Sequence, residues 1–284
     1  TRYIGDYEAF LKAYESNKIQ QKNAYKRQQQ EIAKLEDYVR KNKVRASTAK
    51  LARSRQKKLD KIERIEISRE KIKPQFNFKS GRTSGKLIFE TRDLIIGYGK
   101  PLSKSLDLVM ERGQKIALLG ANGIGKSTLL KSLMGLIKPI GGEVKVGDYL
   151  ELGYFEQEIK ELSTSSVLDE VWDELHGFSK SEIRSALAKC GLTNKHIDSP
   201  IHKLSGGEQA KVRLCKLINK PTNLLILDEP VNHLDVEAKA ELKRSLKKYE
   251  GSILLVCHEP EFYKDIITDV WNCEDWSSIS LNNK

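Results

Sequence analysis

The stretch "GANGIGKS", Gly120 to Ser127, decides the fold class. It fits G-x-x-x-x-G-K-[ST], and both flanks agree with that reading. The apolar "KIALL" before it reads as a buried strand, and "TLLKSLMG" after it as an amphipathic helix. In a strand, glycine loop and helix of this kind, backbone N–H groups turn inward around a phosphate chain and the helix dipole faces the negative charge. Gly120, Gly123 and Gly125 permit the turn around Asn122, and Lys126 reaches the outer phosphates. The Ser127 hydroxyl, with Thr128 beside it, can serve a Mg2+ ion. The expected ligand is a nucleoside triphosphate with magnesium.

Two more segments extend this reading. "NLLILDEP" is a fully apolar strand of the kind buried in a parallel sheet, and it ends in Asp228 and Glu229 at the edge where such sheets bind ligands. Asp228 is then placed to hold the metal, and Glu229 to polarise an attacking water as general base. Before it comes "LSGGEQAKVRL", Leu204 to Leu214, a second glycine pair opening a second helix and a second anion cradle. One nucleotide does not need two separate cradles, and composition alone does not resolve the surplus.

The chain has 284 residues and a net charge of +11. Residues 1–75 hold 21 Lys and Arg against 10 Asp and Glu, and the remaining residues hold 29 of each. The whole excess therefore lies in the first quarter, so a polyanionic partner would meet that quarter. It peaks in "RKNKVRASTAKLARSRQKK", residues 40–58, which has nine basic residues and no acid: Arg40, Lys41, Lys43, Arg45, Lys50, Arg53, Arg55, Lys57 and Lys58.

Around that run, residues 7–72 are rich in Lys, Gln, Glu, Ala and Leu, which favours two helices. Tyr25, Ile32 and Val39 recur every seven residues, with Leu35 between and Gln28 at a polar gap. Val44, Leu51, Leu59, Ile62 and Ile65 approximate the same spacing, predicting an antiparallel hairpin turning near residues 42–47. A dimerising coiled coil with solvated charges fits the same pattern. Pro74 is expected to end the second helix, and "FNFKSGRTSGK" to act as a linker.

Four well-separated cysteines without metal-ligand spacing suit a reducing compartment, and the longest apolar runs are strand-sized. A soluble, cytoplasmic protein is expected. Thr1 in place of Met suggests part of a longer polypeptide.

A phosphate loop, LSGGE, an apolar strand ending in Asp-Glu, and a histidine after a later strand in "VCHEPEF", in that order, resemble an ATP-binding cassette domain over residues 86 to about 275. The resemblance implies a P-loop α/β fold with a RecA-like core, an antiparallel β subdomain and a helical subdomain at about 159–216. The hairpin precedes it, so the expected domains are 1–75 and 76–284. It also implies that two cassettes pair head to tail, each closing its LSGGE on ATP and Mg2+ held by the other, which accounts for the second cradle.

Residue by residue, the resemblance assigns Tyr98 to stacking on adenine and Gln157 in "GYFEQE" to the metal and the attacking water. His258 goes to the γ-phosphate, Ser205, Gly206 and Gly207 to the partner's nucleotide, and Asp235 to linking the two sites. On their own residue chemistry, Tyr98 also suits core packing, and Gln157 and His258 suit surface polar positions. Cys257 beside His258 invites a nucleophilic dyad, but a buried strand cysteine is the simpler reading.

The order of hairpin, "FNF", linker, and a cassette carrying "GYFEQE" and "DEPVNHLD" resembles the second half of the F subfamily of cassette proteins. That resemblance implies a second cassette as partner and a ribosome as target, with the basic arm on ribosomal RNA and tRNA as a further contact. DNA and membranes are not implied. It leaves open a translation-factor or antibiotic ribosome-protection role. The alternative is the ATPase subunit of a membrane transporter. One departure stands out: Val231 occupies a position where threonine is usual, so a hydroxyl is missing beside the expected catalytic carboxylate.

Overall fold

The computed structural model describes residues 7–42, 49–63, 73–156 and 164–276. The chain divides into two compact units, Thr1–Lys71 and Ile72–Lys284.

In the first unit, good helix formers without Gly or Pro yield one continuous helix, Tyr7–Asn42, of 36 residues, about 54 Å long at 1.5 Å per residue. A second helix, Ala49–Asp60, runs antiparallel to it. The Arg55 guanidinium sits 3.6 Å over the Tyr38 ring, Lys58 pairs with Glu31 at 2.8 Å, and Gln28 Nε2 donates to the Glu63 carbonyl at 2.8 Å. Each step back along the first helix is matched by a step forward along the second.

Ile32 and Val39 are buried at this seam as their seven-residue spacing predicts. The second helix differs from expectation. Leu51 is 52% exposed, and Ala52, at 1%, takes the seam. With Leu59 half-buried, the inward face follows a seven-residue spacing from Ala52. Val44, Ile65 and the turn after Asn42 lie outside the described residues. The described second helix ends at Asp60, well short of Pro74.

The second unit is built on five parallel strands in the order Asp269–Asn272, Lys115–Leu119, Ser252–Val256, Leu224–Asp228 and Leu152–Phe155. Alternation along these strands sorts the core onto two faces. Leu225, Leu227, Ile253 and Leu255 join one cluster with the helices Gly206–Asn219 and Val236–Lys248. Leu224, Ile226, Leu254, Val256, Ile116 and Leu118 join the other, beneath helix Lys126–Leu133 and a three-stranded antiparallel sheet. That sheet has the order Val109–Glu111, Leu87–Ile95, Gly141–Val146. Both faces being covered explains why the central strands are apolar throughout.

The helices Val167–Glu174, Lys180–Lys189 and Asn194–Ile197 each start on a hydroxyl cap, Ser166, Ser179 and Thr193. Part of the expected linker is anchored. Phe76 is 0% exposed; its N–H donates to Glu241 Oε1 at 3.0 Å, and its carbonyl accepts from Ser245. Phe78 packs edge-on against Tyr249, and Lys79–Ser80 pairs in parallel with Pro221–Thr222. Two aromatics in a polar stretch bury too much apolar surface to stay in water. Among the described residues, no helix is long and apolar enough to cross a membrane.

Candidate nucleotide-binding site

The phosphate loop leaves strand Lys115–Leu119 and enters helix Lys126–Leu133 through left-handed backbone at Gly120 (φ 141°), Gly123 (φ 79°) and Gly125 (φ 110°). Only glycine adopts such angles at low cost. Gly125 occupies the cap position and contributes no side chain, so the first N–H groups of this helix keep their donor capacity for an anion. By contrast, helix Val236–Lys248 is closed by Asp235, which accepts from the Ala238 N–H at 2.9 Å.

Lys126 is buried, and its ammonium donates to the carbonyls of Gly120 at 2.8 Å and Ala121 at 3.0 Å. Burial lowers its pKa, while the charges of Glu229, Cys273 and Asp228 push the other way. Tyr98, Asn122, Gly123, Gly125, Lys126, Ser127, Thr128 and Glu229 line one cleft of about 500 Å³, with Leu102. That volume lies within the usual range for a small-molecule site. Tyr98 projects from a short hairpin turn at Gly99, 65% exposed, which rules out core packing.

Asp228 closes its strand and is only 2% exposed. Burial raises its pKa and the Glu229 charge adds to that, while the nearby Ser127 hydroxyl and the Lys126 and Lys131 charges lower it. Oδ1 of Asp228 is buried without a hydrogen-bond partner. An orphaned carboxylate oxygen beside a serine hydroxyl is a hard, all-oxygen donor set that fits Mg2+. Among the described residues no three His, Cys, Asp or Glu side chains gather into a metal cluster. A magnesium ion here would therefore draw its remaining ligands from nucleotide phosphates and water, its usual preference.

Glu229 adopts φ 49°, a left-handed conformation that costs energy in a non-glycine residue. Its N–H donates to the Val256 carbonyl at 3.0 Å, which fixes the turn. One carboxylate oxygen lies 3.2 Å from His258 Nε2, and the other accepts from the Asn232 amide. His258 and Glu229 thus meet. Asn232 was not anticipated, although its place three residues after Glu229 was the available signal. Val231, the departure from the family pattern, is buried. The Cys257 thiol is pushed up to about 11 by burial and its sulfur contacts the backbone of Glu259, which leaves no activated dyad.

Ser205 and Gly206 are exposed at the start of helix Gly206–Asn219 and do not line the cleft around Lys126. Glu208 accepts from the Ser205 N–H at 2.9 Å. A β-carbon on Gly207 would lie 2.5 Å from the His233 carbonyl oxygen, so the turn after Glu229 packs directly on this glycine pair. Asp235, besides capping its helix, pairs with the nearly buried Lys211 of the glycine-pair helix at 2.7 Å. Gln157 lies outside the described residues, as do Lys43 and Arg45. The residue before Gln157, Glu156, pairs with Lys131 at 2.6 Å and its carbonyl accepts from Arg213 at 2.6 Å.

Residues 103–232 match a family model described as ABC transporter, and residues 1–78 match a second model of the same description. A Bacillus subtilis (strain 168) protein named "Uncharacterized ABC transporter ATP-binding protein YfmM" is 63% identical over 281 residues, covering 99% of this chain and 54% of that protein. "ABC transporter F family member 5" of Arabidopsis thaliana is 37% identical over 268 residues, 90% of this chain and 38% of that protein. The chain thus spans about half or less of the length of these relatives. A solved structure titled "Structure of ATP binding subunit of ABC transporter" superposes with a TM-score of 0.55 at 23% identity, over 65% of this chain and 85% of that one, a likeness of fold. The five-stranded parallel core, the uncapped glycine cradle and these matches agree, and the chain carries an ATP-binding cassette of the ABC transporter family.

Proposed function

We propose that this chain binds and hydrolyses ATP with Mg2+ as one cassette of an F-subfamily protein, pairs with a second cassette, and uses its basic arm to contact ribosomal RNA in the cytoplasm. The observation that carries the ATP reading is the gathering of Lys126, Ser127 and Glu229 in one cleft, at the exit of the strand that ends in buried Asp228. Lys126 and the glycine N–H groups hold the phosphates. Ser127 and Asp228 hold the metal, which when bound neutralises charge on the transferring phosphoryl group. Glu229, aimed by Asn232 and His258, takes the proton of the attacking water. Tyr98 offers its exposed ring to the base. The outward-facing Ser205 and Gly206 suit the nucleotide of a facing cassette, and Lys211 with Asp235 ties that cradle to the Glu229 turn.

The ribosome reading rests on the arm. Arg40 and Lys41 pair with Asp37, Lys58 with Glu31, and Arg55 covers Tyr38. Lys50, Arg53 and Lys57 have no acidic partner among the described residues, and their spacing of three and four puts them on one exposed helix face. Such a stripe suits a row of phosphates. The relatedness to an F family member favours it over a transporter subunit.

The test is co-sedimentation of the intact protein with ribosomes across salt concentrations. Replacing Lys50, Arg53 and Lys57 by Gln should make the log-log salt slope shallower by about 2 to 3 units, while replacing Arg40, Lys41 and Lys58 should change it little. Slopes equal to that of wild type for both triples would defeat the RNA assignment, and partition into membranes would favour the transporter.

A further inference from the structure

Strand Leu152–Phe155 is the edge of the five-stranded sheet and pairs in register with Leu224–Asp228, Phe155 beside Leu227. Glu156 comes next, so it leaves the sheet beside the strand end that carries Asp228. An edge strand has a bonded neighbour on one side only, and the point where it departs from the sheet is fixed by other contacts. Here two basic side chains supply them.

The Glu156 carboxylate pairs with Lys131 at 2.6 Å, and its backbone carbonyl accepts from the Arg213 guanidinium at 2.6 Å. Lys131 belongs to the helix that opens at Lys126 on one face of the sheet, and Arg213 to the helix that opens at Gly206 on the other. The guanidinium is steadied in turn by the buried Phe155 ring, 4.8 Å from its centroid. The Glu156 hydrogen bond raises the Lys131 pKa against the effect of burial, and the Asp228 charge adds to it. The ammonium therefore keeps its proton and feels Asp228 as well as Glu156. The Lys131 and Glu156 side chains are 28% and 41% exposed, and pairs so exposed contribute little to stability. What the contact offers is geometry: one residue joins the helix behind the phosphate loop to the helix behind the glycine pair.

Resting on the ATP reading of the two cradles, we propose that Glu156 links them: Lys131 on its carboxylate and Arg213 on its carbonyl are positioning residues that couple nucleotide held by the phosphate loop to the helix presenting Ser205 and Gly206. Helix Lys126–Leu133 is short and hydrogen-bonded, so a shift at its phosphate end reaches Lys131. From Lys131 it passes to Glu156. The next step involves no flexible acceptor, because Arg213 grips the main chain itself.

The experiment measures ATP turnover by the intact protein alongside its binding of a fluorescent ATP analogue, for Lys131→Met, Glu156→Gln, Arg213→Met and Arg213→Lys. Glu156→Gln keeps the carbonyl for Arg213 and loses only the charge. Turnover at saturating ATP should fall about tenfold in Lys131→Met, Glu156→Gln and Arg213→Met, the scale of a typical coupling between two sites, with analogue affinity unchanged. Melting temperature should hold in Lys131→Met and Glu156→Gln, whose pair is exposed. Lys131→Met combined with Arg213→Met should be no worse than either alone, since both cut one link. Arg213→Lys still donates to the carbonyl and should recover most of the turnover. The proposal is overturned by unchanged turnover in the single variants, by losses that multiply in the double variant, or by an Arg213→Lys as slow as Arg213→Met. A loss of turnover matched by a lower melting temperature in Lys131→Met and Glu156→Gln overturns it as well. A wild type that neither binds the analogue nor hydrolyses ATP would instead overturn the ATP reading, and the link with it.

Discussion

The arm and the cassette have opposite ways of staying folded. The cassette alternates side chains onto two faces of a sheet and encloses each in its own cluster, so that Leu224 to Leu227 are buried without exception. The arm has Ile32, Val39 and Ala52 at a single seam among its described residues, and its polar contacts include exposed ion pairs, a few side-chain amide hydrogen bonds and one stacked guanidinium. Exposed pairs of that kind contribute little and are screened by salt. The cassette therefore has stability to offset strained and desolvated groups at Glu229 and Asp228, while the arm keeps its charge facing water.

The largest expected effect lies in the cassette. Glu229→Gln keeps size and polarity but cannot take a proton, so ATP turnover by the intact protein should fall about 10²- to 10⁴-fold, with ATP binding retained. Steady-state hydrolysis and equilibrium binding measure the two separately. Turnover near the wild-type rate would remove Glu229 as the base and with it the reason for its φ of 49°.

Stability comes next. Phe76→Ala empties a fully buried site in the cluster that also holds Leu242 and Leu246, which should cost about 3 to 5 kcal/mol. Ile32→Ala at the thin seam should cost about 2 kcal/mol or less. All three tryptophans, Trp172, Trp271 and Trp276, belong to the cassette. Denaturant unfolding followed by tryptophan fluorescence should therefore move for Phe76→Ala and stay put for Ile32→Ala, which should appear only in far-ultraviolet circular dichroism. A common shift in both signals would mean that the two units unfold as one.

The same contrast explains what could be read in the sequence. The cradle, the apolar strands and the Asp228–Glu229 exit are written in contiguous residues, because a glycine loop carries its chemistry locally. Tyr98 and His258 could be placed only through the resemblance to a family. Asn232 on Glu229 and Lys211 on Asp235 depend on which segments folding brings together, and no local period encodes that. In the arm, a seven-residue pattern with polar gaps fixed the helices but not the face. Leu51 fits the spacing better than Ala52 by hydrophobicity, yet Ala52 is the buried residue and Leu51 the exposed one. "FNF" was legible as a segment between domains, while its burial against Glu241 and Ser245 was not.

The smallest expected effect concerns Asp228, and its sign is the informative part. Burial raises this carboxyl above its ordinary value, so the folded state holds the proton more tightly than the unfolded chain does. Below the ordinary carboxylate range both states are protonated and the group is neutral in its effect on folding. As pH rises through the ordinary value toward the raised one, the unfolded chain ionises first, and stability is lost until the folded carboxyl ionises too; the loss then stays constant. At neutral pH the ionised Asp228 is thus a cost carried by the cassette core. Asp228→Asn should melt at a higher temperature than wild type at pH 7, each kcal/mol regained adding about 2 to 4 °C in a unit of this size, and it should lose Mg2+-dependent turnover. The gap should narrow as pH falls toward the ordinary carboxylate range. A variant that melts lower than wild type at pH 7 would mean that the nearby Ser127 hydroxyl and the Lys126 and Lys131 charges outweigh desolvation, and the cassette would then carry no penalty at Asp228.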